Sequence, residues 1–323
     1  MKSILSLLLL SAATISSAQT YPPDAGQPGS TAITPTDSRF VAWATGATVE
    51  RGFVNISNPS LVVSGSNLAS YGVPANAIGP VDGSLVSLGD HGTAVLTFAT
   101  PITNGEGFDL AVFENGGPFF LELAFVEASS DGVNFFRFPA HSLTQTATQM
   151  GSFGTPSAVN LNNLAGKYGG NGTPFDLSDI PNNPLLDKEN ITHIKIVDVV
   201  GNIDPQYATY DSFGNIVNES WPTPFNSCGF DLDAVGVINQ KILGTSDFEK
   251  SNVFLYPNPA SYRVFIHSKN AAAIKIYDIS GRLVTSQKGI SSNGMDVSNL
   301  SKGIYVAQIT SEEKTTSVRL VIK

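Results

Sequence analysis

Apolar runs in this chain are short, and nearly every one is closed by Gly, Pro, Asn or Ser. Thr93 to Phe98 is a β-rich run ended by Pro101. Phe108-Asp109-Leu110-Ala111-Val112-Phe113 alternates, which places Phe108, Leu110 and Val112 on one face of a strand. Leu121 to Ala128 is apolar at both parities, as expected of a central strand covered on both sides. Asp131-Gly132 separates it from Phe135-Phe136-Arg137-Phe138, a pattern that predicts a hairpin. Ile191 to Val200 and Leu232 to Asn239 add two further strands. Helical periodicity is scarce, with room for one short helix between Pro156 and Tyr168. No period of roughly 20–50 residues recurs, which argues against a propeller or solenoid. Several strands with no repeating βαβ rhythm predict an all-β chain, with a jelly-roll-like β-sandwich over residues 19–240.

Charge divides the chain. Charged residues make up 14% of it and apolar ones 41%, enough for a core and too many for wholesale disorder. The net charge of −9 argues against nucleic acid as a partner. Residues 19–251 carry 8 Lys+Arg and 23 Asp+Glu, a net of −15, whereas residues 252–323 carry 9 and 4, a net of +5. So steep a change marks a domain boundary, with residues 241–251 as a linker. A single cysteine, Cys228, provides no disulfide framework and no cysteine-rich zinc site, and it reads as a small buried residue.

Lys2, the apolar stretch Ile4 to Leu10 and the small residues Ser16-Ser17-Ala18 have the order of a signal peptide over residues 1–18. The mature chain is expected to begin at Gln19 and to be exported. No cysteine follows the apolar stretch, so no lipoprotein anchor is expected. No transmembrane segment is expected either, since no later segment approaches the ~18–20 apolar residues of a membrane span.

Residues 252–323 read as six or seven short strands at regular spacing, an immunoglobulin-like small β-sandwich. Tyr256-Pro257-Asn258-Pro259 is a turn fixed by proline, Gly281 punctuates a hairpin at Asp278 to Arg282, and Gly303 leads into Ile304-Tyr305. These motifs, in this order and with a basic, apolar final strand, resemble the type A C-terminal sorting domain of type IX secretion cargo. The resemblance implies export across the outer membrane of a Gram-negative bacterium by the type IX machinery. It also implies cleavage by that system's sortase, followed by attachment to surface lipopolysaccharide or release. The expected location is the outer cell surface or the exterior.

In the acidic body, Gly107 to Gly116, Leu121 to Phe135 and Gly229 to Val235 resemble a family of secreted bacterial cell-surface proteins with no assigned activity. The Ser129-Ser130-Asp131-Gly132 hairpin ahead of an aromatic strand is similar to galactose-binding-like sandwiches, which implies a ligand-binding role. No Gly-x-Ser-x-Gly elbow, His-Glu-x-x-His pair or phosphate-cradling glycine loop is present.

Aromatic and oxygen side chains on loops supply the candidate ligand site: Glu114, Asn115, Phe119, Phe120 and Trp221. For metal, Asp231 and Asp233 share a strand face at i, i+2, and Asp198 points where its strand is otherwise apolar. Together they are candidate calcium ligands, although each also suits a capped turn or a solvated loop. Glu122 and Glu127, five apart on one strand, face opposite sides and make a poor hydrolytic couple. The leading expectation is a surface binding or adhesion module for a glycan or small nutrient ligand, calcium-stabilised and without catalytic residues. A secreted carbohydrate hydrolase and a purely structural surface protein stand as alternatives.

Overall fold

The computed structural model describes residues 20–117, 120–241, 254–267, 271–288, 294–311 and 314–323. The signal peptide expected over residues 1–18 and nearly all of the expected linker lie outside these residues. The chain divides into two compact units, one ending at Lys241 and one beginning at Ile242. Among the described residues there is no α-helix, and every paired strand is antiparallel to its neighbour. Where a short helix is expected near Pro156 to Tyr168, the chain forms a single 3-10 turn at Ala158–Asn160 and passes into a strand at Leu161. Four glycine and asparagine residues in that stretch leave too little apolar surface for a longer helix.

The described strands of the first unit begin with β1 (Ala42–Trp43), β2 (Gly46–Glu50), β3 (Val86–Ser87), β4 (Thr93–Ile102), β5 (Leu110–Glu114) and β6 (Ala124–Ser129). They continue with β7 (Phe136–Arg137), β8 (His141–Ser142), β9 (Leu161–Asn162), β10 (Thr173–Phe175), β11 (Ile191–Asp198) and β12 (Asp231–Val237). One sheet runs β1-β12-β5-β10 with β3 also paired to β12; the other runs β2-β4-β11-β6-β7. Apolar side chains from both fill one core: Val86, Leu110, Val112, Leu232, Val235 and Val237 from the first, and Ala94, Leu96, Val126, Ile194 and Ile196 from the second.

The outer faces are covered too. Leu123, Phe125 and Val197 pack under Ala140, Leu161, Leu164 and Val217, and Phe113 packs with Ile33, Phe40 and Trp43. Each fully buried Phe is worth about 1.5–3 kcal/mol. The irregular segments around residues 33–40 and 140–164 are therefore held to the sheets as part of the fold. β6 is buried on both sides, which is why its sequence is apolar at both parities. On β6 the exception is Glu127, whose carboxylate meets Arg137 at 2.9 Å and Lys195 at 3.8 Å on the outer surface. The β6–β7 hairpin pairs Ala128 with Phe136, and Asp131 Oδ1 accepts from the Val133 and Asn134 amides at 2.8 Å.

The second unit adds β13 (Phe254–Tyr256), β14 (Arg263–His267), β15 (Ala271–Tyr277), β16 (Leu283–Lys288), β17 (Met295–Asp296), β18 (Gly303–Ser311) and β19 (Lys314–Ile322). They form the sheets β13-β14-β17 and β16-β15-β18-β19 around Val264, Ile274, Ile276, Ala307, Ile309 and Leu320. Gly281 has φ +81°, a conformation that disfavours other residues, and its amide closes the hairpin on the Asp278 carbonyl. Asn258 tethers the proline turn to the last strand. Its Nδ2 donates to the Arg319 carbonyl at 2.7 Å, and its Oδ1 accepts from the Val321 amide at 2.9 Å. Asn258→Ala should weaken this closure by about 1–2 kcal/mol. Amide exchange along β19 in the intact chain should then speed up roughly 5–30-fold, and unchanged protection would show the tether to be idle.

Candidate functional site

β5 delivers Glu114 to the end of its sheet, and the chain reaches Glu122 through Asn115, Gly116 and Gly117 before entering β6. Phe119 lies outside the described residues. Glu114 does not sit at a loop mouth: it is 2% exposed, and Glu122 is 1% exposed. β5 is buried along its whole length, so the last residue of the strand turns inward with the rest. Asn115 is half-buried and donates through Nδ2 to the Gly83 carbonyl at 2.8 Å, pinning the loop base to its neighbour.

Other carboxylates gather at the same end. Glu219 Oε2 accepts from the Leu123 amide at 2.7 Å. Asp198, fully buried at the end of β11, accepts from the Phe230 amide at 2.7 Å and the His91 amide at 2.9 Å. Asp90 accepts from the Ile56 amide at 2.7 Å and from Trp221 Nε1 at 3.2 Å. Burial is the first cause that pushes all of these acids upward, Asp90 to about 6 and Glu114, Glu122, Asp198 and Glu219 well above the usual range. Mutual repulsion adds to the rise: Asp231 and Glu114 act on Glu122, and Asp198 acts on Glu219.

Asp231 and Asp233 take different hydrogen-bond partners, although both act on Glu114. A register shift in the β12–β5 ladder falls between Leu232 and Ala234, breaking the alternation that would put both on one face. Asp231 accepts from Ser87 Oγ, while Asp233 receives the Asp82 and Gly83 amides. Among the described residues, no three His, Cys, Asp or Glu side chains stand in metal-holding geometry.

Aromatic side chains from three loops form a rim. Phe120 meets Phe153 at a ring-centre distance of 5.9 Å, and Phe153 meets Phe225 at 5.9 Å. Phe153 is 73% exposed and Phe225 38% exposed. Trp221 is half-buried, and its amide donates to the Met150 carbonyl, joining the 220–225 loop to the 150–154 loop. Phe120 and Trp221, singled out by sequence, thus belong to neighbouring loops, whereas Tyr168 is buried against Thr31. Phe153 and Phe225 were not legible as partners. The available signal is Gly151-Ser152-Phe153-Gly154, a large ring between glycines in a polar stretch. An open groove of about 390 Å³ lies apart, lined by Ser142, Leu143, Thr144, Tyr210, Asn215 and Ile216. Cys228 is fully buried, and burial pushes its thiol far up, so it is no nucleophile.

A strand-built body with an aromatic rim, followed by a separate small strand unit bearing a proline turn and a basic last strand, is the organisation of an exported protein with a sorting appendage. Residues 254–323 match the secretion system C-terminal sorting domain, and the protein is secreted through type IX secretion to the cell surface or the exterior. No helix among the described residues is long and apolar enough to cross a membrane.

No curated protein matches the sequence. Among solved structures, the chain matches the β-glucuronidase of Ruminococcus gnavus at 10% identity and a TM-score of 0.18, covering 72% of this chain and 35% of that one. The same enzyme with D-glucuronic acid matches at 9% and 0.20, covering 86% and 46%. The chain spans less than half of these structures, and likenesses so slight carry no argument about its fold or activity.

Proposed function

We propose that the first unit is a binding module displayed at the cell surface, which holds a carbohydrate or another nutrient ligand against the rim formed by Phe120, Phe153, Phe225 and Trp221. The chain of three phenylalanine rings carries this reading. The rings, tilted to one another by 48° and 36°, expose Phe153 most and offer apolar faces of the kind that stack on a sugar, faces that cost solvation if left uncovered. The strands of this unit pass repeatedly between its two sheets, which supports a jelly-roll-like description, and the second unit fits an immunoglobulin-like one. Sortase processing and attachment to lipopolysaccharide complete the proposed route.

A hydrolase is the weaker reading. Glu114 and Glu122 are almost wholly covered, and a general acid must reach within hydrogen-bond distance of its substrate.

A glycan array with the mature chain, followed by chromogenic glycosides, tests the module. Saturable binding without turnover is expected. Phe153→Ala should raise Kd about 5–30-fold, the equivalent of about 1–2 kcal/mol. Tyr210→Ala, in the separate groove, should leave Kd unchanged. Retained affinity in Phe153→Ala, or turnover abolished by changing one acid, would sink the reading.

A further inference from the structure

All four carboxylate oxygens of Glu114 and Glu122 are buried, and none accepts a hydrogen bond. The Gly116 amide opposes the effect of burial on Glu114 without making a full hydrogen bond. None of the ion pairs among the described residues includes either glutamate. Leaving one ionised carboxylate dry and unpaired costs several kcal/mol, and two at the ends of one short loop cost more. Their neighbours Asp231, Glu219 and Asp198 are acidic as well, so the fold supplies them with repulsion and no counter-charge.

Gly116 shows what the loop makes room for. A Cβ on it would stand 2.3 Å from Glu114 Oε2 and 2.4 Å from the Phe120 carbonyl oxygen. Only glycine lets a carboxylate and a main-chain carbonyl converge there. The two oxygens are no farther apart than opposite ligands of one calcium ion, each about 2.3–2.6 Å from the metal.

We propose that Glu114 and Glu122, together with the Phe120 carbonyl, hold a calcium ion beside the end of β5. Calcium accepts six to eight oxygens in irregular arrangements and takes main-chain carbonyls readily, as a site with two carboxylates requires. Magnesium demands near-ideal octahedral geometry and keeps its waters, so it fits poorly. The ion neutralises the pair and ties the Phe120 main chain to the end of β5. This assignment replaces Asp198 and Asp233, which are taken up by backbone amides, and it does not rest on what the aromatic rim binds.

The test is calorimetric titration of the chelator-treated mature chain with calcium at pH 7.5, alongside melting curves in chelator, in calcium and in magnesium. One binding event and a melting point several degrees higher in about 1 mM calcium, the range of extracellular calcium modules, are expected, with a smaller response to magnesium. Glu122→Gln should abolish the calcium response and, relieved of a buried charge, melt in chelator no lower than the parent. Glu106→Gln, on an exposed loop, should keep the whole response. Should Glu122→Gln fail to fold, the titration of the parent and Glu114→Gln decide. No heat and an unchanged melting point in the parent, or a full response in both glutamine variants, would overturn the site. Neither result bears on glycan binding, which the Phe153 variant reads separately.

Discussion

A chain ending at residue 251 is expected to reach the periplasm and stop there. Near-complete loss from the cell surface and the medium should follow, read by fractionation and by protease accessibility of intact cells. The argument has two parts. Residues 254–323 match the sorting domain, so their removal takes away what the secretion machinery engages. The main apolar core of the body and its two satellite clusters on the outer faces are built from residues before 241, and the core of the second unit from Leu255 onward. The truncated body should therefore remain folded, with a melting point close to that of the body in the full chain. Loss of export with a folded body isolates address from stability. Normal surface amounts of the truncated chain would end the assignment of that role to the second unit.

The body should also be more stable at pH 5 than at pH 8 when calcium is withheld, the reverse of ordinary acid sensitivity. Asp90 is raised to about 6, first by burial, against the lowering effect of its bonds from Ile56 and Trp221. Asp233 is raised to about 6 and Asp231 to about 7, burial again coming first. In the unfolded chain an aspartate titrates near 3.9, so the folded state holds these protons more tightly. Their contribution is full below about pH 4 and is lost as pH rises through 6 to 7. Between pH 5 and pH 8 about half of the Asp90 contribution is lost, about 1.4 kcal/mol, or roughly 3–6 °C in melting temperature for a unit of this size. Asp37, held near 2 by Arg39, works the other way, but only at pH values below 4. Asp90→Asn should flatten part of the profile while keeping an oxygen for the Ile56 amide. A melting temperature that is level or rises from pH 5 to pH 8 in chelator would contradict the burial of these acids.

The all-β character, the break near residue 241 and the sorting appendage were legible in the sequence because each is written in local terms: strand period, charge balance, proline and glycine placement. The covering of both faces of β6 was legible too, since apolar residues at both parities have no other use. Inward and outward acids were not. Glu114 and Glu127 both end or interrupt apolar strands, yet Glu127 finds Arg137 and Lys195 on the surface while Glu114 turns into the interior. Pairing across sheets decides between them, and pairing is non-local. The parity argument for Asp231 and Asp233 meets a related obstacle: a bulge between Leu232 and Ala234 interrupts the alternation it relied on. Phe120 and Trp221 were legible as rim residues, but Phe153 and Phe225 were not, because they come from distant loops.

β1 has one partner, β12, with Ala42 opposite Val237. β5 leans on the same late strand, pairing Leu110 with Val237 and Val112 with Val235. A ribosome working from the amino end must finish almost the whole body before that ladder can zip. Until then the sheet built on β12 cannot close, although the other sheet, β2-β4-β11-β6-β7, already can. The order of pairing thus leaves one side of the body's core without its central strand until the chain is nearly finished.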